Sequence, residues 1–388
     1  VPNLRFPEFN KEWKKRKLSD FLTFKNGINA SKESYGSGYK FINVLDIIEN
    51  DFITHQNIIG AVKISEEVFN KNIVEYGDIL FQRSSETRED VGQSNVYLDK
   101  KVPATFGGFV IRGKRIKDYN PLFLNYLLKT SPSRKEITSK SGGSTRYNIG
   151  QDTLSSVGII TTELKEQAKI ASFLLSIEGR IQTQNKIIED YKLFKKGMMQ
   201  QLFQQEIRFK EEGENYPKWE IKRLDSIAHV VKGKQLNKQE LTENGTYLCQ
   251  NGGIEPSGYT EEYNTTGETI TISEGGNSCG YVNYIRDKFW CGGHCYSLLN
   301  IASEMINLFL YQYLKFHQSK IMSLRVGSGL PNIQKKDIVN FKIILPCKEE
   351  QQKIAKVLSD IDRKIELETK IVALLNQQKQ YFLQNLFI

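Results

Sequence analysis

The 388-residue chain is written twice. Glu166-Gln167-Ala168-Lys169-Ile170-Ala171 returns as Glu350-Gln351-Gln352-Lys353-Ile354-Ala355. The same displacement carries Gly143-Ser144 onto Gly327-Ser328, Asn148-Ile149 onto Asn332-Ile333, and Leu202-Phe203 onto Leu386-Phe387. Trp13, Leu18 and Gly27 recur as Trp219, Leu224 and Gly233 at a larger displacement, so the second copy is shorter ahead of its helix. The period far exceeds those of solenoid repeats, which makes this a duplication and not an array. Two related halves give one polypeptide approximate two-fold symmetry. Duplex DNA has symmetry of the same kind, and proteins of this shape read split sites on it.

At about 100–200 residues per domain, this length holds two or three domains, each with its own core. The copies predict globular units at 1–160 and 206–346, with helical segments at 161–205 and 347–388. The expected class is α+β. Two tandem mixed α/β domains are each followed by a long helix, and the helices pair as an antiparallel coiled coil.

The helices carry the clearest pattern. Glu163 to Phe203 contains no proline, and apolar residues fall at Ile170, Leu174, Ile177, Ile181, Ile188, Tyr191, Met198 and Leu202. With Gln184 and Lys195 included, the steps alternate four and three, which is an a/d heptad seam. The second copy gives Ile354, Leu358, Ile361, Ile365, Val372, Leu375, Phe382 and Leu386, interrupted at the matching places by Glu368 and Lys379. A seam needs a partner helix, and the other copy is the obvious one. Matched polar positions can fix register at some cost in stability. The competing reading, each helix packing only on its own domain, predicts a broader apolar stripe. The polar stretch Gln204-Gln205-Glu206, then Lys210 to Pro217, ends the helix and reads as a linker.

Within the units, Phe41–Val44, Asp78–Phe81 and Phe109–Ile111 read as strands, as do Thr269–Ile272, Tyr281–Tyr284 and Phe341–Ile344. Leu122–Lys129 and Leu308–Phe316 read as amphipathic helices. Loops rich in Gly, Ser and Asn flank the strands: 82–85 and 142–148 in the first copy, 273–278 and 327–332 in the second. Lys25-Asn26-Gly27 is matched by Val231-Lys232-Gly233-Lys234. Gly lets backbone N–H groups approach phosphates, Arg can pair with guanine, and Asn or Gln with adenine. Turn chemistry alone would favour the same residues.

A net charge of +9 suits a polyanionic partner, nucleic acid foremost. Five cysteines, all in the second half, show no disulfide framework and point to reduced thiols and a cytoplasmic setting. No run of about 18 apolar residues indicates a membrane span. The opening Val1-Pro2-Asn3-Leu4 is no signal peptide, and without a Met it leaves room for native residues ahead of it. Walker-type and Rossmann-type glycine patterns are missing, as is the Asn/Asp-Pro-Pro-aromatic motif of amino-methyltransferases. The four His are scattered. Cys291-Gly292-Gly293-His294-Cys295 suggests zinc by spacing. The first copy reads Phe106-Gly107-Gly108-Phe109-Val110 there, so packed positions are expected and no metal site is assigned.

These marks resemble the specificity (S) subunit of type I restriction–modification systems. Leu4-Arg5-Phe6-Pro7-Glu8-Phe9 with Trp13 and Lys17-Leu18, echoed by Tyr216-Pro217-Lys218-Trp219 and Arg223-Leu224, is similar to the domain openings of that family. The opening resembles its staphylococcal members in particular. Gly77-Asp78-Ile79-Leu80-Phe81 resembles its Gly-Asp-Ile-Leu strand, and Glu166-Gln167-x-Lys169-Ile170-Ala171 the start of its long helices. Glu268–Ile272 departs from the Gly-Asp-Ile-Leu pattern. The resemblance implies two target recognition domains, each reading half of a bipartite site in double-stranded DNA, and a helical spacer setting the gap. It implies two modification subunits, using S-adenosylmethionine to methylate adenine N6, and two restriction subunits, using ATP and Mg²⁺. The helices would form the platform for the modification subunits. This chain would be non-catalytic and hold no cofactor. A stand-alone methyltransferase or nuclease and a coiled-coil protein-interaction scaffold are the alternatives.

By loop position and residue type, base-edge contacts are expected from Gln82, Arg83, Ser84, Arg146 and Asn148 in the first unit. In the second they are expected from Asn277, Ser278, Asn332 and Gln334. Lys25, Lys232 and Lys234 are expected on phosphates.

Overall fold

The computed structural model describes residues 2–327 and 329–388. Ser328, part of the second Gly-Ser mark, lies outside the described residues. The chain forms two compact units, Val1–Gln184 with Ile371–Ile388, and Asn185–Lys370.

In the first unit Lys14–Lys17 pairs antiparallel with Gly158–Thr161, placing Lys14 opposite Thr161 and Lys17 opposite Gly158. A four-stranded antiparallel sheet runs in the order Leu22–Asn26, Val110–Arg115, Ile79–Gln82, Ser94–Val96. Ile79, Leu80 and Phe81 are all fully buried, so this central strand shows a continuous apolar run instead of alternation. Tyr35–Ile42 lies between Ala61–Val62, antiparallel, and Thr105–Phe106, parallel. That strand ends at Ile42. Val44 opens a short helix, Val44–Ile48, whose Asp46 carboxylate accepts the Asn43 N–H at 2.7 Å, so the strand expected through Val44 is two residues too long.

The second unit repeats these three sheets in the same strand order. Glu220–Arg223 pairs antiparallel with Lys342–Leu345. The four-stranded order is His229–Lys232, Cys295–Leu299, Thr269–Ser273, Val282–Ile285. Tyr247–Gln250 lies between Gly258–Thr260, antiparallel, and Trp290–Cys291, parallel. The amphipathic helices are Pro121–Lys129 and Asn307–Phe316; they bury Phe123, Leu124 and Leu127 in one unit and Phe309, Leu310 and Tyr313 in the other.

The long helices run Leu164–Phe203 and Lys348–Asn385, and the division into compact units cuts through both. In the first unit Phe173 packs on Phe382, with ring centroids 4.8 Å apart, and Lys379 Nζ lies 2.6 Å from Glu178 Oε1. In the second, Lys195 Nζ lies 2.6 Å from Asp362 Oδ1, and Leu202 shares a core with Ile354 and Leu358. Numbers rise on one segment as they fall on the other, so each pairing is antiparallel. Every expected seam position is buried or half-buried. The seam lysines are not gaps in the pattern. Each ion-pairs with a carboxylate on the facing segment, and that carboxylate also accepts Tyr126 OH or Gln312 Nε2, both at 2.7 Å.

Each helix ends in the core of the other copy's domain. Phe387 packs against Trp13 and Phe123, and Phe203 against Phe309 and Tyr313. The repeated Glu-Gln has a structural reason. Gln167 accepts the Asn120 N–H and Gln351 the Ile306 N–H, both at 2.9 Å, which holds the chain entering each amphipathic helix. The stretch read as a linker is tied down. Lys210–Glu211 pairs with Glu214–Asn215, Tyr216 is buried, and Arg208 pairs with Glu350.

Candidate nucleic-acid interface

Three loops meet where the strand Ile79–Gln82 ends. The Arg83 N–H donates to Phe109 O at 2.9 Å, and the Ile149 N–H donates to Arg83 O at 3.0 Å. Ser84 lies opposite Asn148, its Oγ 2.6 Å from Asn148 Oδ1. The second unit builds the same junction. The Glu274 N–H donates to His294 O at 2.9 Å, the Ile333 N–H donates to Glu274 O at 2.8 Å, and Gly275 bridges Asn332.

A fourth loop closes on each junction. Ile28 bridges Gly107, and Lys234 bridges Gly292. A Cβ on Gly27 would lie 2.1 Å from Gly107 O, and one on Gly233 2.3 Å from Gly292 O, so the recurrent glycine is required by close approach.

The expected contact residues fall into distinct situations. Arg146 and Asn148 are exposed. Arg83 and Ser84 are half-buried, with Arg83 Nη1 3.3 Å from Gly108 O. Gln82 is buried, and its Nε2 donates to Ser84 O. Lys25 donates to Lys71 O at 2.6 Å; burial, with Arg112 and Lys71 nearby, pushes its amine down. In the second unit Asn277, Gln334 and Lys234 are exposed, and Asn332 is half-buried. Ser278 Oγ donates to Gly252 O at 2.7 Å. Lys232 Nζ lies 2.6 Å from Glu274 Oε1.

The structure adds residues that pattern reading did not single out as contacts. Glu274 occupies the place of Arg83, so the two junctions carry opposite charge at their centre. Its carboxylate is buried, and it takes Lys232 Nζ and, at 2.9 Å, Tyr296 OH. Burial, then the bond to Glu274, pushes the Tyr296 phenol up and keeps it a donor. Phe109 and His294 stand at equivalent points after a Gly-Gly pair, and both are exposed. The expectation that these two positions are packed is therefore corrected. Phe106, Val110, Cys291 and Cys295 around them are buried. The doubled Gly-Gly was the available signal. All five cysteines are free, and burial pushes Cys249 up to about 11. Among the described residues no group of three or more His, Cys, Asp or Glu is arranged to hold a metal, and no helix is long and apolar enough to cross a membrane.

Residues 10–191 and 216–377 each match one family, the type I restriction modification DNA specificity domain. The chain belongs to this family. The MjaIX specificity subunit of a Methanocaldococcus jannaschii type I restriction enzyme is 27% identical over 411 aligned residues, covering 95% of this chain and 89% of that one. A Mycoplasma genitalium chain named as a type I specificity subunit is 33% identical over 171 residues; this match spans 44% of each chain, less than half that relative's length. The crystal structure of a type I S subunit from M. genitalium superposes with a TM-score of 0.65 at 20% identity, covering 100% of this chain and 99% of that one, a likeness of fold. The twofold match to one specificity-domain family is the duplication seen in the strands.

Proposed function

We propose that this chain is the non-catalytic subunit that selects DNA for a type I restriction–modification complex. Recognition domains 1–160 and 206–346 each read one half of a bipartite site in double-stranded DNA, and the long helices Leu164–Phe203 and Lys348–Asn385 set the unread gap. Two modification subunits methylate adenine N6 with S-adenosylmethionine. Two restriction subunits use ATP and Mg²⁺, and the assembly works in the cytoplasm. No cofactor is assigned to this chain.

One observation carries the reading. The same loop junction is built twice, while its side chains differ: Arg83, Phe109 and Ser84 against Glu274, His294 and Gly275. A retained scaffold with changed contacts is what two unlike half-sites require. Phosphates would be met by exposed cations such as Lys234, giving salt-sensitive affinity, and base edges by exposed Arg146 and the junction side chains.

The test is reconstitution. With modification subunits and S-adenosylmethionine, the assembly should methylate only split sequences. The chain alone should leave DNA unmodified, with S-adenosylmethionine or with Mg²⁺ and ATP. Activity of the isolated chain would make it an enzyme, and an assembly without sequence preference would make it a scaffold.

A further inference from the structure

The two junctions present different residues on one and the same turn. Phe109 is 63% exposed, although Phe106 and Val110 on either side are fully buried. Leaving so much aromatic surface in water is unfavourable unless something covers it. Phe109 is not isolated. Tyr35 is 46% exposed and Leu45 56% exposed, and the three line a cavity of about 250 Å³ together with the buried Phe41. Arg83 reaches the same turn through Gly108 O, and its backbone is bonded to that of Phe109. An exposed apolar cluster therefore adjoins a guanidinium, beside the place where Ser84 meets Asn148.

Base edges in the major groove offer hydrogen-bonding groups and one apolar feature, the C5 methyl of thymine. Phe contact with that methyl and Arg contact with guanine are the matching chemistries. In the second unit the apex is polar. His294 Nδ1 faces Glu274 Oε2 at 3.7 Å, and Lys232 is paired to the same carboxylate.

Resting on the DNA-reading role above, we propose that Phe109, with Tyr35 and Leu45, is a specificity determinant that receives a thymine methyl in the half-site read by the first unit. That half-site also holds a guanine taken by Arg83. The second unit, with His294 at the apex, makes no methyl-dependent contact there.

The experiment uses the full assembly with modification subunits and short duplexes carrying its site. Each thymine is replaced in turn by deoxyuridine, which lacks only the methyl. In the wild type, one replacement in the first half-site should lower kcat/KM for methylation about fourfold, the scale of one buried methyl-sized group. Phe109→Ala should show no such penalty at that position. Phe109→His, which copies the residue its sister turn already accommodates, should behave alike. Replacements in the second half-site should act equally on all three proteins. The proposal is overturned if the first half-site contains no thymine, if no uracil there slows the wild type, or if the penalty persists in either variant. A wild-type assembly blind to the sequence of ordinary DNA would instead remove the DNA-reading role beneath it.

Discussion

Arg208 grips the carboxylate of Glu350 at two points, Nε to Oε1 at 3.2 Å and Nη2 to Oε2 at 2.7 Å, and the carboxylate is fully buried. Trp219 Nε1 adds a third donor at 3.0 Å. Arg5 and Trp13 do the same for Glu166, so each long helix begins on a buried glutamate held by the chain that opens a domain. Removing one partner of such a pair strands a buried charge, at about 3–5 kcal/mol. Arg208→Ala should destabilise the second unit by that order in chemical denaturation. A loss below about 1 kcal/mol, the scale of a surface pair, would contradict the clasp.

The clasp predicts an acid limit. Burial pushes the Glu166 carboxyl up, but hydrogen bonds from Arg5, Thr162 and Trp13 outweigh this and hold it below its ordinary value. A carboxyl lowered in the folded state stabilises above its unfolded pKa, roughly 4.3, and that contribution fades as pH falls through the lower folded value. The first unit should stay folded down to that range and melt below it. Arg5→Met should move the circular-dichroism midpoint to higher pH; an unmoved midpoint would assign the acid limit to other groups.

The seam lysines predict coupling between facing helices. Lys195→Met leaves Asp362 with Gln312 as its remaining neutral partner. In a double-mutant cycle with Asp362→Leu, the two losses should fall short of additivity by about 0.5–3 kcal/mol. Strict additivity would mean that the ion pair contributes nothing to the seam.

How much of this was readable in sequence depended on what the repeat preserved. Ile170 to Leu202 and Ile354 to Leu386 kept one strict period, so both helices and their seam were legible. Arg5 and Arg208 were not, because they stand at different distances from Trp13 and Trp219 and the displacement does not carry one onto the other. Arg83 and Glu274 share a backbone position but not a charge, and residue type hides the equivalence that hydrogen bonding reveals. Gln82 looked like a base reader by type; the strand buries it. Phe109 looked like core by type, but the Gly-Gly turn lifts it out.

The junctions predict one-sided defects. Arg83→Ala should weaken discrimination in the first half-site by about 1–3 kcal/mol, and Asn332→Ala should do so in the second, each leaving the other half intact. Methylation of duplex libraries by the reconstituted assembly measures both. Equal losses in both halves, or none, would count against these assignments.

Mapping N6-methyladenine across the genome of a strain with and without this gene shows whether two related readers in one chain choose split sites for partner subunits. The expected result is a motif present only with the gene, made of two specified halves separated by a fixed number of unspecified base pairs. A single uninterrupted motif, or no gene-dependent motif, would contradict it.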